Sequence, residues 1–405
     1  MVVPGNVRIS GPLVDYLPGL WSDLRSQGYT PLSCGNLLRL TSHVSRWLEE
    51  SGLQACDLTD ERADAFLAAR RKEGYVAFLN RRGLEPIRRY LLAAGVTLVA
   101  TDAVVVEPTP VQKLVAGYQE YLVHERALSA SCVRSYAAVA ERFLVEHHSK
   151  CGDMDLTSLG GQEVLQFVLG TSRGLSLNQT RFMLTGLRSF LRFVYLRGDI
   201  ATDLTGAVPA VAGWRLAALP KYLPPQQVSA ILGSCDRRTS MGRRDYAVLL
   251  LLARLGLRAG EVAALSLDDV DWREGVLIIR GKGGRQDRLP LPVEVGRGMA
   301  AYLHRGRRRT TSRSMFLGAR APFAKLDRSA VTAIVGRACQ HAGLPVVGAH
   351  RLRHTSATVM LRKGASLGEI SQVLRHKHFA TTAIYAKVDH RRLRELAQPW
   401  PGGVA

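Results

Sequence analysis

The chain has 405 residues, 46% of them hydrophobic, which is long for one ordinary domain and apolar enough to bury two or three cores. Lys and Arg number 55 against 34 Asp and Glu, a formal charge of +21 and a pI near 10.3. That excess points to a polyanionic partner, nucleic acid ahead of a membrane surface. No apolar run reaches the roughly 18 residues of a spanning helix, and the opening stretch MVVPGNVRISGPLVDYLPGLW lacks the basic start and apolar core of a signal peptide. The six cysteines (Cys34, Cys56, Cys132, Cys151, Cys235, Cys339) lie far apart with no C-x-x-C pair. They read as reduced thiols of a cytosolic protein, neither a disulfide framework nor a zinc site.

Helical periodicity runs almost unbroken to about residue 200. One pattern occurs twice. The first copy extends from SDLRSQGYTPLSCGNLLRLTSHVSRWLEE to LEPIRRYLLAAGV, the second from EYLVHERALSASCVRSYAAVAERFLVE to LRSFLRFVYLRGDI. Arg46-Trp47-Leu48 corresponds to Arg142-Phe143-Leu144, Leu58-Thr59 to Leu156-Thr157, and Arg89-Tyr90-Leu91 with Gly95 to Arg192-Phe193-Val194 with Gly198. The offset grows from 96 residues (Arg46 to Arg142) to 103 (Arg89 to Arg192), as unequal loops would make it. Two tandem copies of one small helical domain are expected. The first copy carries a run of cations, Arg70, Arg71, Lys72, Arg81, Arg82, Arg88 and Arg89, suited to a DNA flank if they are not simply a solvated face.

Between the copies, GVTLVATDAVVVEPTPVQ turns β-branched and then Pro-punctuated, which suits a linker. A second linker is expected in DLTGAVPAVAGWRLAALPKYLPPQQV, whose prolines Pro209, Pro220, Pro224 and Pro225 read as incompatible with a helix interior. Beyond it the character changes. DYAVLLLLARLG predicts a buried helix ended by Gly256. GVLIIR and QDRLPLP predict two strands joined by the turn GKGG. RSAVTAIVGRACQHAG, HRLRHTSATVMLRKG and SLGEISQVLRH predict further helices, followed by TTAIYAKV and a tail, DHRRLRELAQPWPGGVA, that begins helix-like with Leu393 and Leu396. The loop RGRRRTTSR at 305–313 reads as solvated and basic.

The stretch GAHRLRHTSATVML places His350, Arg351, Arg353 and His354 within five residues at the mouth of a helix. His350 and Arg353 share a face, with His354 beside them and Arg351 pointing elsewhere. In LGLRAGEVAAL, Arg258 and Glu261 are again three apart, so the carboxylate can brace the guanidinium. Arginine suits phosphate because its planar fork donates two parallel hydrogen bonds and keeps its charge. Lys282 sits at a hairpin tip, where a flexible ammonium could enter a DNA groove. His376 and Tyr385 would face opposite ways on one continuous helix, but FATT breaks it, and Thr381 or Thr382 can cap a new turn carrying Tyr385. His376-x-His378 lacks an Asp, Glu or Cys at ligand spacing, so no metal is expected. GKGG is not a Walker A loop. Taken singly these residues have ordinary readings as a surface Arg, a packed Tyr or a solvated turn; their order and spacing carry the signal.

On the segments GLRAGEVAAL, IRGKGGRQDRLPL, HRLRHTSAT and VLRHKHFATTAIYAKV, in that order, residues from about 220 to 395 resemble the catalytic domain of the tyrosine recombinase (phage integrase) family. The second helical copy resembles that family's core-binding domain, the other half of a clamp around DNA. The stretch LRH…TTAIYAKVD is similar to recombinases of transposon-like mobile elements. One departure stands out: Arg375 occupies the middle of LRH where Leu-Gly-His is common, and Arg does not take glycine's conformations freely.

The resemblance implies a mostly α fold with a small antiparallel β-hairpin or sheet. Its expected parts are an extra N-terminal helical domain at 1–105, a core-binding domain at 106–205, a linker at 206–222, an α+β catalytic domain at 223–390 and a tail at 391–405. It implies a site-specific recombinase that cleaves and rejoins double-stranded DNA without cofactor, metal or ATP. Tyr385 would attack phosphorus and form a 3′-phosphotyrosyl link. Arg258 and Arg353 would stabilise the pentavalent transition state, with a further hydrogen bond from His376. Lys282 would protonate the leaving 5′-oxygen, and His350 would take the Tyr proton. Glu261 would orient Arg258, and His354 would be a bystander or help position its helix. A homotetramer, or an assembly with sister recombinases, would form on DNA in the bacterial cytoplasm. The tail would dock on a neighbouring subunit. A type IB topoisomerase and a non-catalytic DNA-binding relative are the rival readings.

Overall fold

The computed structural model describes residues 7–96, 109–151, 155–211, 222–281, 286–376, 378 and 381–388. The described residues belong to two compact units, one drawn from 102–217 and the other from 1–101 together with 218–405. The architecture is mostly helical, with one small antiparallel sheet.

The N-terminal segment contains α1 (Leu17–Ser26), α2 (Pro31–Glu50), α3 (Asp60–Lys72) and α4 (Arg81–Ala93). Thr30, Thr59 and Asn80 accept backbone N–H bonds at the starts of α2, α3 and α4, satisfying donors that the helices cannot use. In α3, Asp60 and Glu61 stand in the first turn and Arg70, Arg71 and Lys72 in the last, matching the helix dipole at both ends. Leucines at helical spacing (Leu17, Leu20 and Leu24; Leu37, Leu38 and Leu48) meet Phe66, Ile87 and Leu91 in one core.

The unit that follows contains α5 (Pro110–His124), α6 (Ala130–Cys151), α7 (Gly161–Ser172) and α8 (Leu177–Arg197), around Tyr118, Phe143, Phe167 and Phe190. Its helix order matches that of the first segment, and individual contacts recur. Trp47 of α2 meets Phe66 of α3 edge to face at 5.8 Å, and Phe143 of α6 meets Phe167 of α7 edge to face at 5.0 Å. A Cβ on Gly19 of α1 would fall 1.8 Å from the hydroxyl of Tyr90, and one on Gly117 of α5 would fall 3.8 Å from the ring of Phe193. Beyond α4, Gly95 has φ +83° and Val96 N–H donates to the Leu91 carbonyl at 3.0 Å; beyond α8, Gly198 has φ +82° and Asp199 N–H donates to Val194 at 3.0 Å. Both ends are Schellman-type stops that need a left-handed residue.

Most of the cations of the first copy are engaged within it. Arg81 and Arg88 pair with Asp60, and Arg81 also pairs with Asp64. Arg70 lies over the Tyr75 ring at 3.9 Å, Arg71 donates to the Leu79 carbonyl, and Arg89 donates to Gln27. Lys72 and Arg82 are exposed.

The C-terminal segment runs α9 (Pro225–Gly233), α10 (Ser240–Arg254), α11 (Ala259–Ala264), β1 (Val270–Asp271), β2 (Val276–Arg280), β3 (Gln286–Pro290), α12 (Val293–Arg305), α13 (Arg328–His341), α14 (Ala349–Arg362) and α15 (Leu367–Leu374). A 3₁₀ turn, Ala383–Val388, follows. Pro224 caps α9 and Pro225 opens it, because the first helical position has no use for an N–H; neither lies in a helix interior. Every residue from 247 to 253 of α10 is buried, so this stretch of the helix is apolar all round and packs into the core. The sheet has the order β1-β2-β3, antiparallel throughout. Leu277 pairs with Leu289 and Ile279 with Asp287, so the buried leucines share the core face. The expected basic loop 305–313 is closed on itself, with Arg307 donating to the carbonyls of Ser312 and Ser314 and Arg313 paired to Asp268. The expected tail helix with Leu393 and Leu396 lies outside the described residues. Among the described residues no helix is long and apolar enough to cross a membrane, and no group of three His, Cys, Asp or Glu stands close enough to hold a metal.

Candidate active site

A groove of about 1290 Å³ is lined by Arg258, Glu261, His350, Arg353 and Arg375, among others. The path to it begins where α10 ends. Gly256 has φ +59°, and a Cβ there would lie 2.6 Å from a methyl of Leu374, so both backbone conformation and space favour glycine. Leu257 is buried, and Arg258 emerges as the N-cap of α11 with its side chain 44% exposed. Glu261 braces it as the spacing predicts. Oε2 accepts the Arg258 backbone N–H at 2.8 Å, and Oε1 accepts Nη1 at 2.6 Å. Burial alone would raise the Glu261 pKa, but Arg375 and then Arg258 outweigh it and hold the carboxyl below its ordinary value.

Among the described residues Arg353 is the largest fully buried side chain, 1% exposed on α14. Its Nη1 donates to the Gly256 carbonyl at 2.6 Å and its Nη2 to the Leu374 carbonyl. One guanidinium thus ties the turn before α11 to the end of α15. Burial, then the neighbouring Arg258, pushes its pKa down to about 10, which leaves it charged at neutral pH.

Tyr385 does not line the groove. It is 1% exposed, packed with Ala357, Leu361, Ile370 and Leu374. Its hydroxyl lies 2.8 Å from Nδ1 of His354. His350, expected to take the Tyr proton, stands one turn earlier on α14, its ring centroid 4.3 Å from that of His354. His354, read from the sequence as a bystander, is therefore the residue that holds the Tyr hydroxyl. Burial pushes Tyr385 up to about 12. Burial, then His350 and Arg353, pushes His354 down to about 4, so it is neutral at neutral pH. His350 is lowered by the same kinds of cause: burial first, then Arg353 and Arg258.

α15 stops at Leu374, and His376 follows with Nδ1 2.6 Å from the buried hydroxyl of Thr382. Burial, then Arg353 and Arg258, lowers His376 to about 4. Lys282, expected at the hairpin tip, lies outside the described residues. The sequence missed the role of Arg375: it sits at φ +55°, ψ +49° as the left-handed cap of α15, and its guanidinium is paired to Glu261 at 2.7 Å.

His354 and His376 hold folded-state values near 4 against an ordinary 6.5. The unfolded chain therefore takes up these protons first, and stability is lost as pH falls from about 6.5 towards 4. Thermal melts should show Tm falling between about pH 7 and pH 5, with a flatter dependence in His354→Gln and His376→Gln. A Tm that is constant or rises on acidification over that interval would contradict this account.

These residues and this fold define a family. The model for the phage integrase family matches residues 221–392. The chain is 40% identical over 401 residues to y4rA of Sinorhizobium fredii, covering 97% of this chain and 95% of that one. It is 32% identical over 313 residues to the tyrosine recombinase XerD of Mycobacterium leprae, covering 72% and 96%. Two solved structures share the fold. The XerH site-specific recombinase bound to difH in a post-cleavage complex aligns with a TM-score of 0.57 at 20% identity, covering 69% of this chain and 83% of that one. The Tn1549 transposon integrase with circular-intermediate DNA aligns at 0.53 and 15%, covering 69% and 99%. The chain belongs to the phage integrase family and is a site-specific tyrosine recombinase.

Proposed function

We propose that this recombinase cleaves and rejoins duplex DNA through a covalent 3′-phosphotyrosyl link to Tyr385, without metal or ATP, on behalf of a mobile genetic element. The observation that carries this reading is the placement of two guanidiniums, Arg258 and Arg353, on one groove, with a Tyr hydroxyl held behind α14 by a neutral histidine. The Tyr385 oxygen forms the new bond to phosphorus as the bond to the 5′-oxygen breaks. The Tyr proton passes to His350, whose pKa is lowered by burial and then by Arg353 and Arg258, which favours the free imidazole. Lys282 returns a proton to the departing 5′-oxygen. Arg258 and Arg353 carry the extra negative charge of the pentavalent state, with His376 as a further donor. Since Tyr385 is buried, cleavage requires the Ala383–Val388 turn to release the ring and break the His354 hydrogen bond. The partner is double-stranded DNA at a specific site. Two neighbours in fold, XerH and lambda integrase, were solved on DNA sites. A tetramer of this chain, or a mixed one with sister recombinases, assembles on that DNA. The likeness to y4rA and to the Tn1549 integrase supports the mobile-element setting.

A duplex nicked beside the cleavage point tests the reading, because loss of the short 5′-fragment traps the covalent adduct. Adduct should form in excess EDTA at an undiminished rate, since two fixed arginines supply the charge. Loss of cleavage in EDTA, restored by added Mg²⁺ or Zn²⁺, would overturn the metal-free mechanism.

The segment 1–105 is proposed to be a duplicate of the core-binding domain at 106–205, on the repeated helix order and contacts. Its phosphate contacts are expected to be few, because five of its seven clustered cations are engaged internally, leaving Lys72 and Arg82. Each phosphate contact is worth about 0.9 in log–log salt slope, so replacing these seven cations by Ala should flatten the slope by no more than about two. Footprinting and salt titration check this. A larger change would mean that the paired arginines also reach the backbone.

A further inference from the structure

Arg375 carries two local costs that its position does not impose. A left-handed helix cap favours glycine, yet here an arginine holds φ +55°. Its buried Nε has no hydrogen-bond partner. Residues that keep such costs mark functional positions more often than packing ones. The left-handed backbone sends this side chain, only 4% exposed, across to α11, and the contacts there close a ring. Arg258 Nη1 donates to Glu261 Oε1 at 2.6 Å, Arg375 Nη2 donates to Glu261 Oε2 at 2.7 Å, and Arg258 Nη2 donates to the Arg375 carbonyl at 3.2 Å. Arg375 therefore holds Arg258 twice, through Glu261 and through its own main chain.

We infer that Arg375 is a positioning residue of the strand-transfer chemistry, fixing the Arg258 guanidinium in the groove and keeping the Glu261 carboxylate from neutralising it. The inference rests on the reading of Arg258 as a transition-state ligand. Arg258 and Glu261 alone sum to zero charge; with Arg375 the group carries a net positive charge that the phosphate can use. The carboxylate is held between Arg258, the N-cap of its own helix, and Arg375 after α15, with Arg353 of α14 also within electrostatic reach; Arg328 of α13, Arg280 of β2 and Asp287 of β3 line the same groove. Arg375 is the largest of the influences that lower the Glu261 value, so its removal leaves burial less opposed.

Single-turnover cleavage of the nicked duplex should be compared in Arg375→Gly, Arg375→Lys, Glu261→Gln and the double Glu261→Gln/Arg375→Gly. Glycine suits the left-handed cap, so Arg375→Gly keeps the fold, which a thermal melt verifies. Its cleavage rate should fall about tenfold, the worth of one charge-assisted hydrogen bond, with a much smaller change in site affinity. The acid limb of its pH–rate profile should move to higher pH as Glu261 becomes easier to protonate. Arg375→Lys should restore the profile and part of the rate. In the Glu261→Gln background, Arg375→Gly should add little. A wild-type rate and profile in Arg375→Gly, or an undiminished effect of that change in the Glu261→Gln background, would overturn the inference. Arg258→Ala and Tyr385→Phe serve as references. Cleavage that survives those two changes sinks the functional reading itself, whereas their loss beside a wild-type Arg375→Gly sinks only the positioning role.

Discussion

Tyr385→Phe is expected to abolish the covalent protein–DNA adduct while leaving fold and site binding almost unchanged. The ring packs in the small cluster of Ala357, Leu361, Ile370 and Leu374, and Phe fills the same space. What is lost is one oxygen and its hydrogen bond to His354. Losing that bond costs about 1 kcal/mol, since a half-buried imidazole nitrogen is left unpaired. It could also free the Ala383–Val388 turn, which that bond helps to hold. Losing the oxygen removes the nucleophile, and no phenyl carbon can replace it. The nicked duplex followed by a denaturing gel should therefore show no adduct, while filter binding and the melting curve stay near wild type. An adduct formed by the Phe variant would place the nucleophile elsewhere.

The parts of the site legible in the sequence were those set by spacing along one helix. Arg258 and Glu261 are three apart, and the bracing contact follows at 2.6 Å. His350 and Arg353 are three apart and line one groove. The proposed repeat rests on a similar signal: Trp47 and Phe143, which correspond in the sequence, each meet an aromatic ring of the following helix, Phe66 or Phe167. What spacing along one element does not reveal is a contact made between elements. His354 reads as one more cation on α14 until the Ala383–Val388 turn brings Tyr385 against it. Arg375 reads as an awkward substitute for glycine until its left-handed backbone carries the guanidinium to Glu261, 114 residues away in the chain. The arginines of the first helical copy read as a DNA-facing run until Asp60 and Asp64, on a different helix, pair with Arg81 and Arg88. Charge and composition pointed to a polyanion correctly in sign, but the number of cations available to it depends on such pairings.

Arg353 is where catalysis and stability depend on one side chain, and its replacement should have the broadest effect. Its fork donates to the carbonyls of Gly256 and Leu374, so Arg353→Ala removes the buried donor of both and opens a cavity behind the groove. Losing two charge-assisted bonds should destabilise the chain by about 2–4 kcal/mol. Removing a cation from beside Arg258 relieves some repulsion, but that gain is smaller, because Arg258 is 44% exposed and screened by solvent. The cleavage rate should fall by roughly a hundred to a thousand fold, as when one preorganised donor to a transition-state oxyanion is lost. Arg353→Lys separates the two roles. It keeps the charge, but a single ammonium cannot span both carbonyls as the planar fork does. Its melting temperature should lie between wild type and Arg353→Ala, and its cleavage should remain at least about tenfold down because the phosphate is met by one donor direction instead of two. Melting curves and single-turnover adduct formation, measured on the same preparations at a temperature where all three chains are folded, check both halves. If Arg353→Lys cleaved at the wild-type rate, charge alone would suffice and the fork geometry would have no catalytic part. If a folded Arg353→Ala cleaved at that rate, Arg353 would be a structural tie between α10 and α15, and the charge on the phosphate would have to be met by Arg258 with Lys282 and His376.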